Sequence, residues 1–250
     1  MGEGRTGAHK ESRSIQAYLA ERHAASTKGL PRGRAAHLLR HVSSPGMRAS
    51  AKVNGTVLLA PFSRRKIRAL LSEGPPIRLN LGSGPRKLDG WVNVDILGMD
   101  PDLHWDLRRG IPFPDSSVEA TFLEHVLEHF PTGDALRILE ECRRVLVPGG
   151  IVRAGVPDFG LYIRSYVEDR ETLERLRPGR PTPLLAVGEV ALQHGHRSVW
   201  DAETLARALE EAGFVDVRAR PFGDSALEPA PDTDLREPES VYAEGAKPRA

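Results

Sequence analysis

Residues 77–95 constrain the fold of this chain more than any other stretch. They read I-R-L-N-L-G-S-G-P-R-K-L-D-G-W-V-N-V-D, so a short run of strand character breaks into Gly82, Ser83 and Gly84, and a second run ends in Asp95. Glycines let the backbone turn sharply and let a ligand approach without a Cβ in the way. An acidic side chain at the end of the following strand can bind two ribose hydroxyls. The stretch therefore predicts an adenosine-type pocket at the carboxyl end of a parallel sheet.

The length of the connection narrows the choice of nucleotide. Only nine residues, 82–90, separate the two predicted strands, whereas a parallel crossover normally takes a dozen or more. A dinucleotide site needs a third glycine in register and a full helix whose N-terminus holds the pyrophosphate. Such a helix does not fit here, which disfavours a nicotinamide-dependent dehydrogenase. S-adenosylmethionine carries no phosphate and needs no such helix.

Composition bounds the class of protein. A chain of 250 residues is long enough for one large α/β domain with an extension, and its 40% hydrophobic and 28% charged residues are typical of a soluble globular protein. We see neither an apolar run of membrane-spanning length nor the apolar core of a signal peptide. The single cysteine, Cys142, excludes an internal disulfide and a cysteine-based zinc site. We therefore expect a cytoplasmic protein.

Positive charge is concentrated near the N-terminus. Residues 1–71 hold fourteen basic and three acidic residues, a net charge of +11, which leaves −10 for the remainder of a chain whose total is +1. We predict that residues 1–72 form a basic extension that is partly helical or disordered and folds in part onto its own acidic domain. A basic arm of this kind can also bind nucleic acid. Helices are expected over residues 14–25, 34–42 and 61–72, with residues 1–13 disordered.

Strands and helices alternate through the rest of the chain. Residues 158–200 interrupt the alternation as an insertion, and substrate-binding parts tend to lie in such segments. The pattern predicts an α/β fold, a doubly wound and mostly parallel sheet with one antiparallel strand at the end. Strands are expected over residues 103–107, 120–123, 151–156, 215–220 and 241–246. One helix is expected to begin near residue 124, a second after an N-cap on Thr132, and a third after an N-cap on Asp201. Two further helices are expected over residues 161–169 and 171–177.

Five pieces of the sequence, in order, resemble the class I S-adenosylmethionine-dependent methyltransferases, and within them a group of predicted bacterial enzymes. They are L-N-L-G-S-G-P-R-K-L-D-G-W-V-N-V-D, W-D-L-R-R-G-I-P-F-P-D-S-S-V, E-H-V-L-E-H, E-C-R-R-V-L-V-P-G-G, and H-G-H-R with D-A-E-T-L. The resemblance covers residues 77–247. It implies a Rossmann-like seven-stranded sheet, a methyltransferase domain over residues 73–250, and S-adenosylmethionine as cofactor.

The resemblance also implies the cofactor contacts. The glycine loop would pass under the methionine part, Asp95 would bind the ribose, and Asp106 would accept from the adenine amino group. Asn80 stands where the family often has an acid, which weakens the expected contact to the methionine ammonium. The implied cofactor-binding residues are Asn80, Gly82, Ser83, Gly84, Asp95, Asp106, Leu107 and Glu124.

Methyl transfer to a hydroxyl needs a group that removes its proton, and histidine has a suitable pKa. The candidates are His125, beside the implied cofactor, and His194 and His196 from the insertion. Substrate-binding candidates are Asp158, Tyr162 and Arg197, the last for an anionic group. We expect O-methylation of a sugar or another hydroxylated small metabolite. An RNA methyltransferase and a non-catalytic cofactor-binding protein are the alternatives, and the oligomeric state is open, a homodimer included.

Residues 125–129 also match H-x-x-E-H, an inverted zinc-peptidase motif. Two histidines four residues apart on a helix can bind zinc, and His194 or His196 could complete the shell. The pentapeptide nevertheless follows directly on a strand of a nucleotide-binding sheet, and that position accounts for its residues without a metal. We therefore predict no metal site.

Overall fold

A seven-stranded sheet organises the protein, as seen in a computed structural model that describes residues 14–27, 45–74, 76–96 and 100–249. The strand order is β3-β2-β1-β4-β5-β7-β6. The strands are β1 (Arg78–Leu81), β2 (Val92–Asp95), β3 (Leu103–His104), β4 (Val118–Glu124), β5 (Leu146–Pro157), β6 (Val215–Arg220) and β7 (Ser240–Ala246).

The pairing of the strands confirms the predicted doubly wound sheet. β1 pairs in parallel with β2 and β4, β2 with β3, and β4 with β5, while β7 runs antiparallel to both β5 and β6. Parallel strands are covered on both faces, so their sequences become continuously apolar. Leu79, Leu81, Val152 and Ala154 are accordingly inaccessible to solvent. The carboxyl ends of β1, β2 and β4 meet at one edge of the sheet.

The helices agree with the predictions in most positions and differ in a few. Asp201 caps its helix as predicted, since its Oδ1 accepts from the Thr204 amide at 2.8 Å. Thr132 is not an N-cap: Pro131 takes that position and no side chain caps the helix. The helices are α1 (Ile15–Thr27), α2 (Pro45–Glu73), α3 (Thr132–Val145), α4 (Phe159–Glu168), α5 (Arg170–Leu176), α6 (Pro183–Leu192) and α7 (Ala202–Glu211).

Helix α3 packs its apolar stripe against the sheet. Ala135, Ile138, Leu139, Cys142 and Val145 are all buried, at the helical spacing that the sequence indicates. Burial raises the pKa of the Cys142 thiol to about 12, so this thiol is a core group and not a nucleophile. Strand β5 begins directly after the helix, five residues earlier than the predicted start at residue 151.

Helix α2 takes the place that a crossover helix would occupy. Residues 82–91 contain no helix between β1 and β2, as the short connection predicts. Ala60 and Ile67 are buried in the main core instead, and the Ser63 hydroxyl donates to the His104 carbonyl of β3 at 2.9 Å. The expected start of this helix near Pro61 is wrong, because it begins sixteen residues earlier and Pro61 lies inside it. The predicted domain division at residue 72 thus falls at the end of a helix whose last turns pack on the sheet.

The insertion forms a small helical unit with its own apolar cluster. Helices α4, α5 and α6 bury Tyr162, Leu173 and Val190 against one another. Sequence analysis missed α6, although Thr182 accepts from the Leu185 amide as N-cap and Pro183 follows as the first helical residue.

Helix α1 lies against this insertion, since the buried Tyr18 hydroxyl donates to the Glu189 carboxylate of α6. The predicted disorder of residues 1–13 and the predicted helix over 34–42 lie outside the described residues. Of the helices in the described ranges, none has the length and apolar character that crossing a membrane requires.

Candidate functional site

Two adjoining cavities open at the carboxyl ends of β1, β2 and β4. The apolar cavity has a volume of about 350 Å³ and the polar cavity one of about 170 Å³, and both are lined by Gly82, Gly84 and His125. The apolar cavity is further lined by Asp95, Ile96, Trp105, Asp106, Leu107, Val126, His129 and Phe130. The polar cavity is further lined by Asn80, Ser83, Pro85, Arg86, Leu88, Phe122, Glu124 and Thr233.

The glycine loop owes its shape to two left-handed residues. Gly82 has φ +70° and Gly84 has φ +56°, a region that side-chain-bearing residues rarely adopt. A Cβ on Gly82 would lie 2.5 Å from Val126 Cγ2, whereas one on Gly84 would meet no atom within 4 Å. Gly82 is thus required by packing, and Gly84 leaves open space beside both cavities.

Asp95 faces the glycine loop across the end of β2. Its Oδ2 accepts from the Gly84 amide at 2.7 Å and its Oδ1 from the Ile96 amide at 2.6 Å. Each carboxylate oxygen has a second lone pair, so these contacts orient the group without exhausting it. The remaining lone pairs can accept from a pair of adjacent hydroxyls in the apolar cavity.

Asp106 and Leu107 line the far part of the apolar cavity. The Asp106 carboxylate caps the 3₁₀ turn Leu107–Arg109 and pairs with Arg108, whose Nη2 lies 2.8 Å from Oδ2. This hydrogen bond raises the pKa of the Arg108 guanidinium above its usual value. A hydrogen-bond donor on a bound nucleobase would therefore share the Asp106 carboxylate with Arg108.

Asn80 and Ser83 line the polar cavity from the β1 side. Asn80 Nδ2 donates to Asn93 Oδ1 at 2.9 Å and to the Arg86 carbonyl at 3.3 Å, so it fixes the crossover. An aspartate at this position would offer no donor to that carbonyl. Ser83 is buried, and its hydroxyl makes no hydrogen bond to any residue that the structure describes.

Glu124 closes the other side of the polar cavity. Its Oε1 accepts from the Thr233 amide at 2.9 Å and from the Tyr242 hydroxyl at 2.8 Å, and its Oε2 accepts from the Thr233 hydroxyl. Sequence analysis missed Thr233 and Tyr242. No sequence pattern near Glu124 could have predicted these two partners, because they are more than a hundred residues away along the chain.

His125 stands where the two cavities meet. Its φ of +54° is left-handed, which turns the chain sharply at the end of β4. Its Nε2 lies 2.7 Å from the Ser240 hydroxyl, and its Nδ1 lies 3.5 Å from Glu128 Oε1. A carboxylate beside one nitrogen favours the charged imidazolium when the other nitrogen takes a proton.

The H-x-x-E-H segment is not an α-helix. The predicted helix start near residue 124 is a single 3₁₀ turn, Leu127–His129, so His125 and His129 do not form a pair on one helix face. His129 instead lies against His196 of the insertion, with ring centroids 5.1 Å apart.

The other histidine candidates lie away from the two cavities. His194 is exposed, and His196 lines only a small separate cleft between Glu128, Val190 and Trp200. Of the three predicted bases, only His125 lines both the apolar and the polar cavity.

The three acceptor-side candidates also lie outside both cavities. Asp158 caps α4 by accepting from the Leu161 amide at 3.0 Å. Tyr162 is fully buried, its hydroxyl donates to Glu239 Oε2 at 2.9 Å, and burial raises its pKa. Arg197 is exposed, at the end of the loop that follows α6.

Comparisons with known proteins agree with this architecture. Residues 97–154, from the end of β2 to the middle of β5, match the family model described as a methyltransferase domain. A curated relative from Mycolicibacterium smegmatis, described as a probable S-adenosylmethionine-dependent methyltransferase, is 33% identical over 113 residues. Both matches are therefore to methyltransferases, and the second is to one described as dependent on S-adenosylmethionine. The aligned part is 44% of this chain and spans about a third, 35%, of the relative's length.

Two solved structures of S-adenosylmethionine-dependent methyltransferases align with about three quarters of this chain at low identity. A methyltransferase from Archaeoglobus fulgidus is 15% identical, with a TM-score of 0.43, and covers 75% of this chain and 94% of its own. One from Mesorhizobium loti is 17% identical, with a TM-score of 0.43, and covers 73% and 96%.

The curated relative is described as dependent on S-adenosylmethionine, and the residues of the two cavities suit this cofactor. The unbonded Ser83 hydroxyl and the open space beside Gly84 leave room and a donor for a ligand. An apolar cavity with one carboxylate suits an adenosyl group, and a polar cavity next to it suits an amino acid.

Proposed function

We propose that this methyltransferase transfers the methyl group of S-adenosylmethionine to a hydroxyl of a small acceptor, such as a sugar or another hydroxylated metabolite. The observation that carries the proposal is the junction of an apolar and a polar cavity over Gly82, Gly84 and His125. An adenosyl group in the first cavity and a methionyl group in the second would bring the sulfonium to that junction.

The contacts of each group follow from this orientation. Asp95 would accept from the ribose hydroxyls, and Asp106 with the Leu107 backbone would face the adenine edge. Asn80, Ser83 and Glu124 would surround the methionyl group, where an anionic Glu124 also attracts the positive charges of the ammonium and the sulfonium.

His125 is the proposed general base. Methyl transfer is an in-line attack, so the acceptor oxygen must lie on the far side of the methyl group and lose its proton as the bond forms. His125 lines the junction, and Glu128 Oε1 at 3.5 Å from Nδ1 would stabilise the imidazolium. The acceptor hydroxyl would replace the Ser240 hydroxyl at Nε2. His194 and His196 are not included in this role, since neither lines the junction.

The acceptor would enter from the side of the insertion. Arg197 is exposed there, and we retain it as the proposed partner of an anionic group on the acceptor. Asp158 and Tyr162 are not carried into the proposed site, because the first caps a helix and the second is fully buried.

Calorimetric titration with S-adenosylhomocysteine tests the cofactor assignment. The wild type is expected to bind the product in the micromolar range, Asp95→Ala to lose this binding, and NAD to give no signal. Asp89→Ala is the matched control, since Asp89 is an exposed carboxylate in the same crossover and lines neither cavity. Equal binding by wild type and Asp95→Ala would contradict the assignment.

A panel of hydroxylated acceptors then tests the catalytic role. His125→Ala is expected to keep its affinity for S-adenosylhomocysteine and to lose about 10²–10⁴-fold in turnover, the usual contribution of a general base. Binding without turnover on any acceptor, unchanged by His125→Ala, would favour a non-catalytic cofactor-binding protein.

The other alternative is that the acceptor is RNA, which the basic extension would bind. Arg65 and Arg68 of α2 are exposed cations of this segment that the structure describes. Salt-dependent RNA binding that is weakened in an Arg65→Glu/Arg68→Glu variant would favour RNA, because each lost phosphate contact lowers the salt dependence of binding. Unchanged binding in that variant would count against it.

A further inference from the structure

We propose a metal site in this protein, in which Glu128, His129 and His196 bind one divalent ion of the zinc class. One ligand atom from each residue lies within 4.8 Å of the others. Two of the residues belong to the 3₁₀ turn after β4, and the third belongs to the loop that follows α6. The set differs from the H-x-x-E-H motif, because His125 is not part of it, and it departs from the expectation of no metal.

The backbone holds the two segments together before any ion is considered. The Glu128 carbonyl accepts from the Arg197 amide at 2.7 Å and from the Ser198 amide at 3.2 Å. Gly195, with φ +82°, brings the loop close to the turn, since a Cβ there would lie 4.0 Å from His129 Nδ1. The three side chains are therefore placed by the fold, which lowers the entropic cost of assembling a ligand set.

The hydrogen bond of His196 assigns the role of its two nitrogens. Nδ1 lies 2.5 Å from the Val190 carbonyl, which can only accept, so Nδ1 carries a proton. In the neutral imidazole, Nε2 then presents its lone pair, 3.9 Å from Glu128 Oε1. A histidine that donates one N–H to a backbone carbonyl and offers the other nitrogen to an ion is the usual arrangement at metal sites.

The spacing and burial of the ligand atoms suit an ion. Two ligands of a tetrahedral zinc, with bonds of about 2.0–2.1 Å, lie roughly 3.3 Å apart. Side-chain rotations would have to close the 3.9 Å between Glu128 and His196, and the other pairs from within 4.8 Å. Glu128 is 1% exposed, and a buried carboxylate is costly unless a positive charge accompanies it. An ion between Glu128 and two neutral imidazoles would add positive charge beside this carboxylate, which the His125 ring also approaches.

The chemistry of the ligands selects the metal. Imidazole nitrogens suit zinc, cobalt, nickel and copper and are poor ligands for magnesium. Three protein ligands leave a fourth position for water or for another ligand. Because His129 also lines the apolar cavity, the ion would connect the loop carrying Arg197 to the wall of the proposed cofactor site.

Metal titration of the chelator-stripped full-length protein tests the site. We expect one Zn²⁺ per chain by elemental analysis, a cobalt-substituted form with the visible absorption of a tetrahedral site, and no binding of Mg²⁺. His129→Ala and Glu128→Gln are expected to weaken zinc binding by about a hundredfold or more, since even outer partners of ligands contribute 10–100-fold. His129 is exposed, so its replacement leaves the core intact.

His194→Ala is the matched control, because His194 is an exposed histidine of the same loop outside the ligand set. It should bind zinc as the wild type does, and circular dichroism of each stripped variant should match that of the stripped wild type. Failure of the stripped wild type to bind zinc would overturn the proposal. So would binding that survives in His129→Ala and Glu128→Gln, or that is lost in His194→Ala.

Discussion

Replacement of Arg153 by methionine tests how the chain closes over the polar cavity. Arg153 lies in the middle of β5 with no exposed surface. Its Nε and Nη2 each lie 2.5 Å from the Asp232 carboxylate, and its Nη1 lies 2.9 Å from Glu244 Oε1. It also donates to the carbonyls of Asp224 and Pro221. These bonds attach the segment 221–239, which carries Thr233 to Glu124, to the sheet.

The contacts of Arg153 indicate how much the Arg153→Met substitution should lower the free energy of unfolding. Arg153→Met keeps most of the apolar stem and removes the charge. The loss therefore comes mainly from Asp232, which is left buried without this cation, and from Glu244, which keeps only Arg220, at 3.6 Å. The two carboxylate side chains are 1% and 6% exposed. Breaking a buried ion pair in this way costs about 3–5 kcal/mol of unfolding free energy. At about 2–4 °C per kcal/mol for a chain of this size, the melting temperature should fall by about 6–20 °C.

Urea unfolding followed by circular dichroism measures this difference, with Arg207→Met as control. Arg207 pairs with Glu203 on the surface of α7, where the side chains are 70% and 73% exposed, and such a pair contributes about 0–1 kcal/mol. A second variant, Arg153→Met with Asp232→Asn and Glu244→Gln, should recover part of the loss because it removes the unpaired charges. If Arg153→Met unfolds at the same urea concentration as Arg207→Met, the reasoning is refuted.

Two further substitutions test the glycine loop and an ion pair of helix α3. Gly82→Ala should cost more unfolding free energy than Gly84→Ala: both pay about 1–2 kcal/mol for a left-handed φ, but only the first would also clash with Val126. The stability difference between wild type and Glu141→Gln, measured by urea unfolding, should be present at pH 7 and shrink as the pH falls below 4.5. The reason is that the Arg144 hydrogen bond holds the pKa of Glu141 below its usual 4.5, so its stabilising effect disappears on protonation; a difference that persists at low pH would contradict this.

Local contacts of the site followed from the sequence, and distant ones did not. Asp95 and Gly84 are eleven residues apart and are joined by a strand and a turn whose sequence signals are strong. Glu124 and Thr233 are 109 residues apart, and His125 and Ser240 are 115 apart. Periodicity and turn residues specify elements, but they do not specify which loop returns to which strand end, so these partners could not be predicted.

Two helix boundaries show when a proline predicts the start of a helix. Pro61 was expected to begin a helix, yet α2 continues through it, because Ala60 and Ile67 on either side pack into the core and offset the lost backbone hydrogen bond. Pro183 does begin a helix, with Thr182 as its cap, and this signal was overlooked. A proline indicates a helix start reliably only when a capping side chain precedes it.

The E-H-V-L-E-H and H-G-H-R segments are held together by backbone hydrogen bonds that do not depend on a metal. The amides of Arg197, in the second segment, and of Ser198, directly after it, donate to the Glu128 carbonyl of the first segment. The two backbones therefore need each other to satisfy their hydrogen bonds. The side chains of His129 and His196 then meet as a consequence of this pairing. An ion at this point would therefore stiffen a junction that already exists, and its removal should loosen the loop after α6 while leaving the sheet folded.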